Sequence, residues 1–253
     1  MKSNVEWEQW GRDDPLYGVA AWPGREKGGV NPWSEEDFFA TGAADWKDYL
    51  AQWEPYGLDA TCCLEIGCGA GRLTKWLAEY FERVHAVDIS KDVVDIARRH
   101  VPDDSVTFHV TDGLALPLPD STVSAVLSTF VFQHFDSPAI AREYLVEIGR
   151  VMRPGGSLMI QMPIYEWAGM RRLFRGMYEA QRSFGTVRAT VRRLLIRRGI
   201  GSPIMRGLKY EVSWVLTTFS AIGFENIEIR TFQVRSNGDW HSFIFARKPD
   251  DID

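Results

Sequence analysis

The feature that most constrains this chain is a regular alternation that begins near residue 60. Short apolar runs at 61–66, 84–89, 106–110, 125–130 and 158–162 are separated by segments with helical spacing. Leu73, Trp76, Leu77 and Tyr80 recur at i, i+3, i+4 and i+7, which buries one helix face against a sheet. Ser90 stands where a side-chain cap would open the next helix, with Asp92 in its first turn. Ser137-Pro138 opens another, which stops near Arg153-Pro154-Gly155-Gly156, a turn by composition. Strands alternating with helices of this length imply an α/β fold: a mostly parallel sheet with helices on both faces and right-handed crossovers. The tail breaks the rhythm. Runs at 224–231 and 240–247 have no helix between them, only 233–239 with Asn237-Gly238, and so should pair as an antiparallel hairpin at one edge.

At 253 residues the chain can bury a full core as one domain with additions. The expected division is an N-terminal cap segment at 1–56, a ligand-binding core at 57–163, a helical insertion at 164–209 and the rest of the core with its hairpin at 210–253. The charged start, MKSNVEWEQWGRDD, has no apolar signal region, and no stretch nears the roughly 18 apolar residues of a membrane span. A cytoplasmic protein is expected. Cys62, Cys63 and Cys68 are crowded together without a second Cys or His cluster, which argues for buried hydrophobes rather than a disulfide framework or a metal site.

In an open parallel sheet, ligands sit outside the carboxyl ends of the strands where strand order reverses. After the first run the chain reads Glu65-Ile66-Gly67-Cys68-Gly69-Ala70-Gly71-Arg72. Glycines at alternate positions allow a tight turn and a close approach to a ligand, and the following helix offers free N–H donors to an anionic group. A dinucleotide fingerprint, G-x-G-x-x-G/A, would put its third small residue at Arg72, so the spacing disfavours NAD.

The E-x-G-x-G-x-G pattern instead resembles the first motif of the class I S-adenosylmethionine-dependent methyltransferases, of the bacterial small-molecule type. The later strand ends are similar to that family too. The resemblance implies a Rossmann-like seven-stranded sheet with a terminal antiparallel pair, S-adenosylmethionine as cofactor and S-adenosylhomocysteine as product. It implies that Glu65, Gly67, Gly69 and Gly71 cradle the donor. Asp88, with Ile89 beside it, would take both ribose hydroxyls; two acceptor oxygens suit two adjacent donors. Asp112 and Gly113 would meet the adenine, and Thr129 and Phe130, in the segment after the fourth strand, would line the methyl group. The stretch 33–50 resembles the segment that caps the donor, which makes Trp33 and Phe39 substrate-side candidates. Six of the ten tryptophans precede residue 54, and such large aromatics can wall a cavity or simply pack.

A sulfonium methyl is already electrophilic, so the protein has mainly to align an acceptor and exclude water. An acceptor hydroxyl would gain from a base, whereas a carboxylate or free amine needs none. His134 is the best-placed base, with an orienting or packing role as its alternative; His109 and His241 read as structural, and Tyr165 at the rim is a weaker candidate. No acid stands after the fourth strand before Asp136, so metal dependence is not expected.

The insertion at 164–209 holds ten arginines and one lysine against Glu166 and Glu179, a charge of +9 in a chain of net −5. It falls at the carboxyl rim, where substrate should enter. Its arginines, Arg171 and Arg172 among them, read in three ways: a solvated lid face, recognition of an anionic small molecule, or contact with RNA or a membrane surface. A sequence pI near 5.6 leaves no extended basic surface for nucleic acid, which ranks the third reading last. The expected activity is methyl transfer to a small molecule, at oxygen. The alternatives are an RNA nucleotide methyltransferase and a S-adenosylmethionine-binding protein without turnover.

Overall fold

A computed structural model of the chain describes residues 1–165 and 207–251. Three helices precede the sheet: α1 (Lys2–Asp13), α2 (Pro15–Val19) and α3 (Glu35–Trp53). The Ser34 hydroxyl accepts the Asp37 amide at the start of α3, and Glu35, Glu36 and Asp37 occupy its first turn, where the helix dipole favours carboxylates. The chain then alternates through β1 (Cys63–Ile66), α4 (Thr74–Tyr80), β2 (Val84–Asp88), α5 (Lys91–His100), β3 (Val106–Val110), β4 (Val123–Ser128), α6 (Pro138–Val151) and β5 (Met152–Gln161). Two short strands, β6 (Ile164–Tyr165) and β7 (Tyr210–Glu211), pair in parallel outside the main sheet. The chain returns through α7 (Val212–Ile222), β8 (Glu225–Gln233) and β9 (Trp240–Arg247).

The sheet order is β3-β2-β1-β4-β5-β9-β8, and β9 runs antiparallel to both of its neighbours. From β1 the chain winds outward through β2 to β3, then returns to place β4 on the other side of β1. The order therefore reverses between β1 and β4, and a crevice opens outside their carboxyl ends. Ile66 and Ser128 are partners at that edge, and the Ser128 hydroxyl donates to the Ile66 carbonyl at 3.1 Å.

The alternation of side chains along β1 divides two cores. Leu64 and Ile66 pack with Leu145, Ile148 and Phe219 of α6 and α7, whereas Cys63 packs with Trp46, Tyr49, Trp53 and Leu77 of α3 and α4. Cys62 joins the first core, so the adjacent cysteines face opposite layers as free thiols. The Trp53 indole donates to the Ser157 hydroxyl at 3.0 Å, and this pins the end of α3 to β5.

Two local expectations change. The Arg153-Pro154-Gly155-Gly156 turn is a bulge inside β5, because pairing with β4 jumps from Val123↔Met152 to Ala125↔Ser157. The Ser90 side chain does not cap α5; the Asp88 carboxylate accepts the Ser90 amide instead, and the hydroxyl is buried against Gly11 of α1. The last helix begins at Val212, while Tyr210 is buried and donates its hydroxyl to the Phe132 carbonyl at 2.7 Å.

Candidate active site

The turn after β1 is shaped by two glycines in the left-handed region, Gly67 at φ 76° and Gly69 at φ 53°. A Cβ on Gly67 would lie 2.1 Å from Val131 Cγ2, and one on Gly69 would lie 2.6 Å from Val19 Cγ2. Neither position accepts a side chain, so the loop can lie tightly between the core and α2.

Two carboxylates frame this turn. Glu65 is buried and takes the Thr74 hydroxyl on Oε2 at 2.6 Å. Burial pushes its pKa up to about 7, against the Thr74 hydrogen bond and the Arg72 charge. Asp88, at the carboxyl end of β2, accepts the Gly69 amide on Oδ2 and the Ser90 amide on Oδ1, both at 2.9 Å. Desolvation holds its pKa above the ordinary value although these amides favour the ionised form. A carboxylate offers about four lone-pair sites. The Ile89 amide joins the two amides above, and the carboxylate's remaining acceptor capacity lines the cleft.

Arg72 turns away from the position that a dinucleotide loop would need. It is buried, forms an ion pair with Asp45 of α3 and also donates to the Thr41 hydroxyl. The pair ties the glycine loop to α3 across a separation of 27 residues.

On the other wall, Phe130 follows β4 at φ 59°, a conformation that bulky residues seldom adopt and that a packed surround must hold. Its ring meets His241 edge-on at 4.9 Å. The chain then makes a 3₁₀ turn over Phe132–His134. The Gln133 amide lies 3.0 Å from His134 Nε2 and can only donate, so that ring nitrogen is the acceptor.

The third wall is α1. Asn4 donates from Nδ2 to the Asp112 carbonyl at 2.6 Å, and the Trp7 ring lies 4.7 Å from that of His134 in an edge contact. Together with α2 it closes a partly open cleft of about 130 Å³.

Glu65, Gly67, Gly69, Asp88, Ile89, Thr129, Phe130 and His134 are brought together around this cleft. Gly71 faces α5 instead, where a Cβ would sit 3.1 Å from Ala97. Asp112 is exposed and contributes its main chain to α1; Gly113 is buried beside Met1 and Asn4. Trp33 and Phe39 lie elsewhere: Trp33 donates to the Ala20 carbonyl and meets the Trp22 ring at a tilt, and the Phe39 ring lies tilted against His100. Tyr165 sits in β6, apart from the cleft lining. Arg171 and Arg172 fall outside the described residues. Sequence reasoning missed Arg72 and Tyr144 in the lining, and it held Trp7 and Trp10 only among six early tryptophans that could wall a cavity or simply pack; both line the cleft. The spacing of Ser3, Trp7, Trp10 and Gly11 (i, i+4, i+7, i+8) was the available signal for α1.

Residues 64–160 match a family model described as a methyltransferase domain. The chain carries a class I S-adenosylmethionine-dependent methyltransferase domain. Among curated relatives, the chain is 32% identical over 144 residues to N-demethylindolmycin N-methyltransferase of Streptomyces griseus, covering 50% of this chain and 58% of that one. The chain thus spans little more than half the length of that relative. Two solved structures share its fold. The N-methyltransferase NodS of Bradyrhizobium japonicum, in complex with S-adenosylhomocysteine, has a TM-score of 0.60 at 16% identity over 99% of this chain and 100% of its own. A putative methyltransferase from Haloferax volcanii, in complex with the activator Trm112, has a TM-score of 0.62 at 16% identity, covering 96% of this chain and 98% of its own. Among the described residues no helix is long and apolar enough to cross a membrane.

Proposed function

We propose that the protein transfers a methyl group from S-adenosylmethionine to an oxygen of a small molecule in the cytoplasm. The observation that carries the reading is Asp88, set against the Gly67 and Gly69 turn at the strand-order reversal, with its carboxylate lining the cleft. The residues present fit the cofactor. Asp88 suits a pair of ribose hydroxyls, Ile89 an adjoining apolar ring, and Gly67 and Gly69 the close approach of a ligand chain. Glu65 suits a cationic group, which would favour its ionised form. When bound, S-adenosylmethionine supplies a methyl group activated on a sulfonium.

The chain's own residues do the rest. Thr129 and Phe130 form the wall between donor and acceptor, and the constrained backbone of Phe130 fixes its ring there. Trp7 and Trp10 exclude water from the opposite side. For a hydroxyl acceptor, His134 takes the proton. A neutral imidazole has one acceptor nitrogen, and here the Gln133 amide occupies it, so the acceptor must displace that amide to reach Nε2. In this reading 1–56 caps the donor core at 57–163, and the +9 segment at 164–209, with Arg171 and Arg172, favours an anionic acceptor. The buried free thiols of Cys62, Cys63 and Cys68 suit a reducing compartment.

Calorimetric titration with S-adenosylhomocysteine tests the donor site: saturable heat is expected, and none above background would refute it. Labelled methyl transfer to a panel of phenols, carboxylic acids, amines and transfer RNA tests the acceptor. Label on a small hydroxyl or carboxylate supports the proposal. Label on an amine or on RNA overturns its acceptor part, as donor binding with no transfer would overturn turnover.

A further inference from the structure

A helix begins with main-chain amides that its own turns leave unpaired, and the N-cap of α1, Met1, has no side-chain acceptor to offer. The acceptor comes from far along the chain. The Lys2 amide donates to Asp136 Oδ2 at 2.8 Å, and the Ser3 amide reaches the same oxygen at 3.4 Å. A carboxylate is the preferred partner at this end of a helix, both as a hydrogen-bond acceptor and against the positive end of the dipole.

Asp136 is held by the core. It follows the 3₁₀ turn of His134 and precedes Ser137, the N-cap of α6. Helix α1 pairs with no strand. It is fixed by side-chain and cap contacts: Asp136 at its start, Asn4 on the Asp112 carbonyl, Trp7 against His134, and Gly11 so close to Ser90 that a Cβ would lie 2.1 Å from its hydroxyl. The same helix supplies Asn4, Trp7 and Trp10 to the wall of the cleft. While these contacts hold, α1 closes its side of the cleft.

We infer that Asp136 is a positioning residue: an external N-cap that latches α1 across the donor cleft and so sets how long a bound donor or product is retained. This rests on the donor site proposed above. The latch stabilises the closed arrangement without touching ligand, so its loss acts on dissociation rather than on the bound contacts.

Hydrogen exchange and binding kinetics of the full chain test it. Without ligand, Asp136→Ala speeds exchange of amides 2–13 about tenfold, the size of a lost cap, while amides of β1 and β4 exchange as in the wild type. Asp136→Asn keeps an acceptor oxygen and stays within about threefold. With S-adenosylhomocysteine as probe, Asp136→Ala raises the dissociation rate about tenfold, and Asp136→Asn restores most of the retention. Unchanged exchange at 2–13, or an unchanged dissociation rate with amides 2–13 loosened, overturns the inference. Should Asp136→Ala also loosen the sheet, Lys2→Pro removes the donor at a position where proline fits a helix start. It must then loosen α1 alone, and unaltered exchange refutes the latch. If the wild type fails to bind S-adenosylhomocysteine, the donor site is refuted, while the exchange comparison still decides the latch.

Discussion

Glu65 should make the ligand-free protein lose stability as the solution is made less acidic. Its carboxyl, ordinarily near 4.5, titrates at about 7 because burial disfavours the charge. Each pKa unit corresponds to about 1.4 kcal/mol, so ionised Glu65 costs the fold about 3 kcal/mol. The sign follows from proton counting. Between 4.5 and 7 the folded protein holds a proton that the unfolded chain has released, so stability falls as pH rises through this window and is level above it. Glu65→Gln removes the titration while keeping an oxygen for the Thr74 hydroxyl, which donates at 2.6 Å. Urea unfolding of both proteins at pH 5, 6, 7 and 8 gives the difference directly, because every other titrating group is common to the two. The variant should gain about 3 kcal/mol on the wild type between pH 5 and 8. Curves parallel within about 0.5 kcal/mol, the usual effect of a neutral surface change, would refute the burial argument.

Three more outcomes are expected. Asp88→Ala should weaken S-adenosylhomocysteine binding at least about a hundredfold in calorimetry, since two charge-assisted hydrogen bonds of about 1.5–3 kcal/mol each are at stake. Arg72→Met leaves the Asp45 carboxylate buried without its partner and should cost about 3–5 kcal/mol in urea unfolding, most of which the added change Asp45→Leu should return. Gly67→Ala places a Cβ 2.1 Å from Val131 Cγ2 in a left-handed backbone, and the melting temperature should fall by the equivalent of about 2–4 kcal/mol.

The central sheet was legible because its signals are local. The run expected at 106–110 is β3 to the residue, and the run at 240–247 is β9. Asp88 could be singled out because a strand's end and its next residue are fixed by the strand itself. The edge pairing was legible in kind, since two strands without a helix between them can only return antiparallel. Asp112 shows where local reasoning stops. Its position after β3 is as expected, but α1 engages its carbonyl and its side chain is exposed.

By itself, then, the sequence determined the alternation of strand and helix, the glycine turn and the acid at the end of β2, all of which arise from neighbours within one turn or one strand. Only the tertiary structure decided that α1 walls the cleft, that Arg72 is buried against Asp45 and that Asp136 caps a helix 134 residues away. The physical reason is that α1 is short of apolar residues: its spacing records a face but not the surface that will bury it. A polar helix draws its stability from packing rather than propensity, and a buried charge from a partner that the chain brings near only when folded.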